Sequence, residues 1–154
     1  MSDITVARAI HVLAVVLWIG GVSVVTTVVL PAARRGALGE RPLEAFAAIE
    51  RRFSWQARMA VIAVGLSGLY MLWRGDLWSR FGEGSFWWMH AMVGLWLVFA
   101  VILFVIEPLV SSRANAKARG DPARALKVMQ RLHQGLLGLS AATVLVAVAG
   151  AHGW

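Results

Sequence analysis

Three of the four histidines in this 154-residue chain, His11, His90 and His152, fall toward one end when its apolar segments are threaded up and down through a bilayer. An ionisable side chain at membrane depth is costly unless it binds, pairs or relays something, so intramembrane imidazoles are candidates for chemistry. His11 stands seven residues into the first apolar segment, roughly 10 Å from its outer end at helical rise. His90 stands four residues into the third, entering from the same side. In a four-helix bundle the first and third spans are diagonal, about 13 Å apart for neighbours at 8–10 Å. That separation suits a metal held between two inward imidazoles, and His11 with His90 is the leading ligand pair. His152, after Gly150 at the end of the last span, is the substitute ligand or an ordinary interfacial residue. His133, beside Arg131 near the opposite end, reads as a polar boundary residue.

With no cysteine, thiolate sites and covalent C-x-x-C-H haem attachment are excluded, so a cofactor must be held by His, Met or carboxylate. A b-type haem on two neutral imidazoles needs an apolar cavity and cations for its propionates. Arg8, one turn before His11, and Arg74 and Arg80 at the same end are candidate propionate partners. Trp18, two turns below His11, is a candidate wall of the cavity or a packing residue. Gly94, one turn after His90, leaves room for a porphyrin edge, while the other intramembrane glycines also suit close helix packing. His133 and His152 are 19 residues apart, roughly 28 Å of helix, which argues for one haem rather than two stacked on that helix. The rival ligand is copper. Met89, His90 and Met92 form M-H-A-M, and thioether with imidazole suits Cu(I), although these side chains leave the helix in different directions.

The elements that position these residues follow from composition. The chain is 59% hydrophobic with eight tryptophans, more apolar than a soluble surface permits. It reads as one all-α domain over residues 1–154, an integral-membrane four-helix up-down-up-down bundle in lipid. Its spans are expected at about 4–30, 57–73, 86–110 and 132–151. The first is too long for a signal-peptide core and lacks a cleavage-like end, so it is expected to remain. Leu43, Phe46, Ile49 and Phe53 continue a helical period before the second span, and Asp121-Pro122 opens the fourth helix early. Helices 2 and 4 are therefore expected to project into the cytoplasm, the first of these projections as a solvated amphipathic extension. Glu107, the one carboxylate well inside a span, is expected to pair with Arg58 or His133.

The net charge of +7 concentrates in residues 31–58 and 111–131. That distribution argues for membrane topology rather than nucleic-acid binding: connections 1 and 3 cytoplasmic, both termini periplasmic, in a bacterial-type inner membrane. No nucleotide or flavin motif and no Ser-His-Asp constellation is present. Exposed small residues leave room for a homodimer.

The stretch R-A-I-H-V-L-A-V-V-L-W-I-G-G, Arg8–Gly21, resembles the first helix of the CopD-like copper-resistance membrane proteins and of the HemJ-type four-helix haem b proteins. In both, an H…W-x-G arrangement recurs, here His11, Trp18, Gly20 and Gly21. The resemblance implies haem b or copper at His11. A HemJ-type protein carries a lysine in its third span, where this chain has none. The combined expectation is one haem b near the periplasmic face, serving electron transfer or oxidation of a small hydrophobic partner such as a quinone or porphyrin. The alternatives are copper binding or transport through His11, His90 and His152, and a structural subunit.

Overall fold

The computed structural model describes residues 2–109 and 120–153. Four helices run through them: α1 Asp3–Arg34, α2 Pro42–Arg74, α3 Gly84–Leu109 and α4 Pro122–Ala151, each long and apolar enough to cross a membrane. The local signals that start them are in the sequence. The Ser2 hydroxyl accepts the Thr5 N–H at 3.3 Å, and the Asp121 carboxylate accepts that of Arg124 at 3.0 Å, satisfying donors that the first helical turn leaves open. Pro42 and Pro122 sit in the first turns of α2 and α4, where a missing N–H costs nothing. The α1–α2 connection turns through Gly36 and Gly39 at φ +75° and +89°, a conformation open to glycine without strain.

Each helix packs on the next, and α4 closes back on α1, so α1/α3 and α2/α4 are the diagonals. Neighbours are antiparallel. Asp3 at the start of α1 meets Arg74 at the end of α2, and Trp88 near the start of α3 rests on Gly150 near the end of α4. The mid-membrane core joins Trp18 and Val22 of α1, Val61 and Val64 of α2, and Leu95 and Phe99 of α3, with Leu136 and Leu137 of α4 against it. Most side chains of each apolar stretch are on the surface, where hydrocarbon rather than water is the solvent.

A second core lies at the opposite end from His11, and it revises the expected solvated extension. The early part of α2 lays Leu43, Phe46 and Phe53 against Val25, Leu30 and Ala33 of α1 and against Leu126 and Met129 of α4. Phe46 is 1% exposed and Leu30 fully buried. The three-and-four spacing was therefore the signature of a packed face, while Ile49 stays exposed.

The glycines divide cleanly. Gly21 receives the Phe53 ring, Gly65 the Trp96 ring, Gly150 the Trp88 ring and Gly68 the His11 ring, each so near that a methyl group would touch it. Gly20, Gly94, Gly135 and Gly138 face open space. Gly94 thus has room beside it, on an exposed position.

The basic ends of α1 and α3 share a construction. Each widens into a π-helical turn, Val25–Val29 and Ile102–Ile106, just before Pro31 and Pro108. A π turn pairs each N–H with the carbonyl five residues back, as Leu30 does with Val25 and Glu107 with Ile102. A proline continuing that register has no N–H to give, so the carbonyls of Thr26 and Leu103 need another donor. A neighbouring helix supplies it: Gln130 Nε2 of α4 donates to Thr26 O at 3.0 Å, and Arg58 Nε of α2 donates to Leu103 O at 3.1 Å. Gln130→Leu is expected to lower stability by about 1 kcal/mol through the uncapped carbonyl. The loss should shrink in a Pro31→Ala background, whose new N–H can cap Thr26; a thermal-unfolding double-mutant cycle in detergent measures this coupling.

Candidate functional site

His11, His90 and His152 lie toward the same end of the bundle, as the antiparallel pairings require. Their surroundings differ. His11 is half-buried and faces α2, with Nδ1 3.1 Å from the Val64 carbonyl oxygen and 3.0 Å from Ser67 Oγ. A carbonyl oxygen only accepts, so the Val64 contact makes Nδ1 the protonated nitrogen and leaves the lone pair on Nε2. The Ser67 hydroxyl gives its own proton to Ala63 O at 2.5 Å, which leaves an oxygen lone pair to accept from His11. Nε2 is thereby the ring nitrogen whose lone pair could take a metal ion, and an Nδ1–H anchored on protein acceptors is common among metal-binding histidines.

His90 is exposed, with Phe81 edge-on at 5.1 Å between ring centroids. His152 ends α4, exposed, and its Nδ1 donates to Val148 O at 2.8 Å. His133, at the other end, donates from Nδ1 to Met129 O at 2.9 Å within its own helix. Among the described residues no group of three or more His, Asp or Glu side chains gathers where it could hold a metal ion. The structure therefore does not assemble His11, His90 and His152 into one triad. In M-H-A-M, Met89 is buried while His90 is exposed, so adjacent residues of α3 face different surroundings.

The candidate propionate partners are variously engaged. Arg74 Nε pairs with Asp3 Oδ2 at 2.9 Å, where Tyr70 also donates its hydroxyl at 3.0 Å. The Arg80 guanidinium lies 4.8 Å from the centroid of the Phe86 ring. Arg8 is exposed on α1. Trp18 is 2% exposed, with Phe99 edge-on at 4.7 Å, and serves the core. An exposed His90 against Phe81, with two of the three arginines occupied, fits poorly with a haem held between His11 and His90.

Glu107 pairs with Arg58 at 3.3 Å, the first of the two partners expected for it. This pair lines a cleft of about 400 Å³ with Leu103, Phe104 and Pro108, at the basic end and away from His11. The sequence reading missed Ser67 and the Asp3–Tyr70–Arg74 cluster. A signal for Ser67 was present: Ser67-Gly68 places a hydroxyl beside a vacancy in an otherwise apolar stretch.

Helix order, antiparallel pairing and a lipid-facing apolar surface together define a four-span integral membrane bundle with a histidine held across its first helix pair. Within that class the family is specific: residues 47–150 match the model of the family described as Copper resistance protein D (CopD), and the chain belongs to that family. The match covers most of α2, all of α3 and all of α4 but its last residue. It leaves out α1, and with it both His11 and the Arg8–Gly21 stretch that carried the resemblance. Membership bears out the CopD half of that resemblance and lends nothing to the HemJ half. No curated protein and no solved structure matches the chain.

Proposed function

We propose that this protein handles copper ions at the membrane, receiving Cu(I) at the His11 end and assisting its passage. Membership of the copper-resistance family carries this reading. The donors agree with it. The His11 imidazole suits Cu(I), which accepts fewer ligands than the tetrahedral zinc sites built from three or four side chains. Copper here is cargo, so a site of few donors is sufficient: binding must be strong enough to admit an ion and weak enough to release it. In this reading the arginine-rich segments 31–58 and 111–131 are cytoplasmic and the His11 end is periplasmic.

The reading is tested in vesicles containing a trapped Cu(I) indicator and the purified protein. Cu(I) should enter faster than into protein-free vesicles, and His11→Ala should slow entry toward the protein-free rate. Equal rates with and without the wild-type protein would remove passage from the account.

A further inference from the structure

We infer that Val64, Ser67 and Gly68 form a seat on α2 that positions the His11 imidazole, with Ser67 and Gly68 as positioning residues for Nε2 as a soft-metal donor. The metal half of this inference rests on the copper reading; the positional half does not.

Three contacts define the seat, and each has a distinct chemical part. The Val64 carbonyl is an acceptor only, which sets the tautomer. Ser67 Oγ is a second acceptor for Nδ1–H, because its own proton is committed to Ala63 O. Two acceptors on one N–H restrict rotation of the ring more than one does. Gly68 supplies space, since a Cβ there would lie 3.3 Å from His11 Cε1, the carbon between the two ring nitrogens. A side chain at 68 would press on the ring beside both the anchored and the ligating nitrogen. Serine and glycine occur together because the ring needs an acceptor and a vacancy on adjacent positions of one helix.

Both groups lie on a helix other than the histidine's own. Any shift of α1 against α2 therefore changes the orientation of Nε2. His133 and His152 show the contrast: each bonds a carbonyl four residues back in its own helix, which fixes a tautomer without linking two helices. The family match includes Val64, Ser67 and Gly68 while leaving out His11, so the seat and its occupant are separated by that comparison.

The test uses the whole chain in detergent micelles with ¹⁵N-labelled histidine, at about pH 8 so that imidazoles near their ordinary pKa are neutral. His11→Gln identifies the His11 signals. In the wild type, long-range ¹H–¹⁵N spectra should report His11 as the Nδ1–H tautomer. Ser67→Ala should admit a measurable share of the other tautomer and weaken Cu(I) binding, read by competition with a chromophoric chelator, about 10-fold, as loss of an outer hydrogen bond to a metal ligand does. Ser67→Thr, which restores a hydroxyl, should recover both readings. Gly68→Ala should shift the His11 ring signals while leaving those of His133 and His152 in place.

A wild-type His11 in the Nε2–H form overturns the seat. So does a Ser67→Ala protein with unchanged tautomer and unchanged Cu(I) affinity. If the tautomer responds as expected but the wild type binds no Cu(I), the copper reading and the metal half of the inference fail together, while the positional half is supported.

Discussion

Gly21→Ala lowers the unfolding temperature of the detergent-solubilised protein clearly, while Gly20→Ala leaves it unchanged or slightly raised. The two positions are adjacent in α1 and undergo the same chemical change. At Gly20 a new Cβ meets nothing within 4 Å, and alanine gains helix propensity of up to about 1 kcal/mol over glycine. At Gly21 the Cβ would run into the Phe53 ring. That ring cannot swing away freely, because it packs against both the mid-membrane core and the core at the basic end. Overpacking of this kind costs about 1–3 kcal/mol. Comparable melting temperatures for the two variants would show that Phe53 is not seated on Gly21.

Trp18 gives the second large effect, through an asymmetry between two substitutions. Trp18→Ala removes a 2%-exposed ring and its edge contact with Phe99, leaving a cavity between α1 and α3. Hydrocarbon is the surrounding solvent, so little of the cost comes from transfer and most from lost packing. The lower end of the range for large aromatic truncations, about 3 kcal/mol, is the expected loss. Trp18→Phe should cost under about 1.5 kcal/mol, since it keeps an aromatic body against Phe99. It also removes the indole N–H, which is buried without a hydrogen-bond partner among the described residues. Denaturation in mixed micelles, followed by near-UV circular dichroism, ranks the three proteins. Equal losses for Ala and Phe would assign Trp18 a polar role instead of a packing one.

The fold was readable because membrane helices are specified by composition and length, both local properties. Runs of apolar residues of spanning length, with Asp121-Pro122 opening the last of them, led directly to four helices running up and down. The basic end was harder. Leu43, Phe46 and Phe53 have the same spacing whether their face meets water-exposed surface or another helix, and only Leu30 and Leu126, distant in sequence, reveal the partner. The π turns were not legible, since nothing local to Pro31 or Pro108 shows that the carbonyl five residues earlier takes its donor from another helix, Gln130 for Thr26 and Arg58 for Leu103.

At the candidate site, residue type was informative and direction was not. His11, His90 and His152 were assigned to one end by counting residues, and the helix pairings put them there. Counting could not foresee that His11 turns to α2, that His90 faces outward against Phe81, or that Arg74 is paired with Asp3. Periodicity gives a helix face relative to its own axis; the neighbour behind that face is a tertiary property. Ser67 illustrates the same limit, because a serine in an apolar span commonly bonds its own helix, as it does here to Ala63, and only the structure adds His11 as a second partner.

The most direct measurement is a Cu(I) competition titration of the purified wild-type and His11→Ala proteins, with haem and metal quantified on the same samples. The account predicts close to one Cu(I) per wild-type chain, marked weakening in His11→Ala, and no stoichiometric haem in either. A wild-type protein that carries one b-type haem with a low-spin reduced-minus-oxidised spectrum, and takes up no Cu(I), would contradict it.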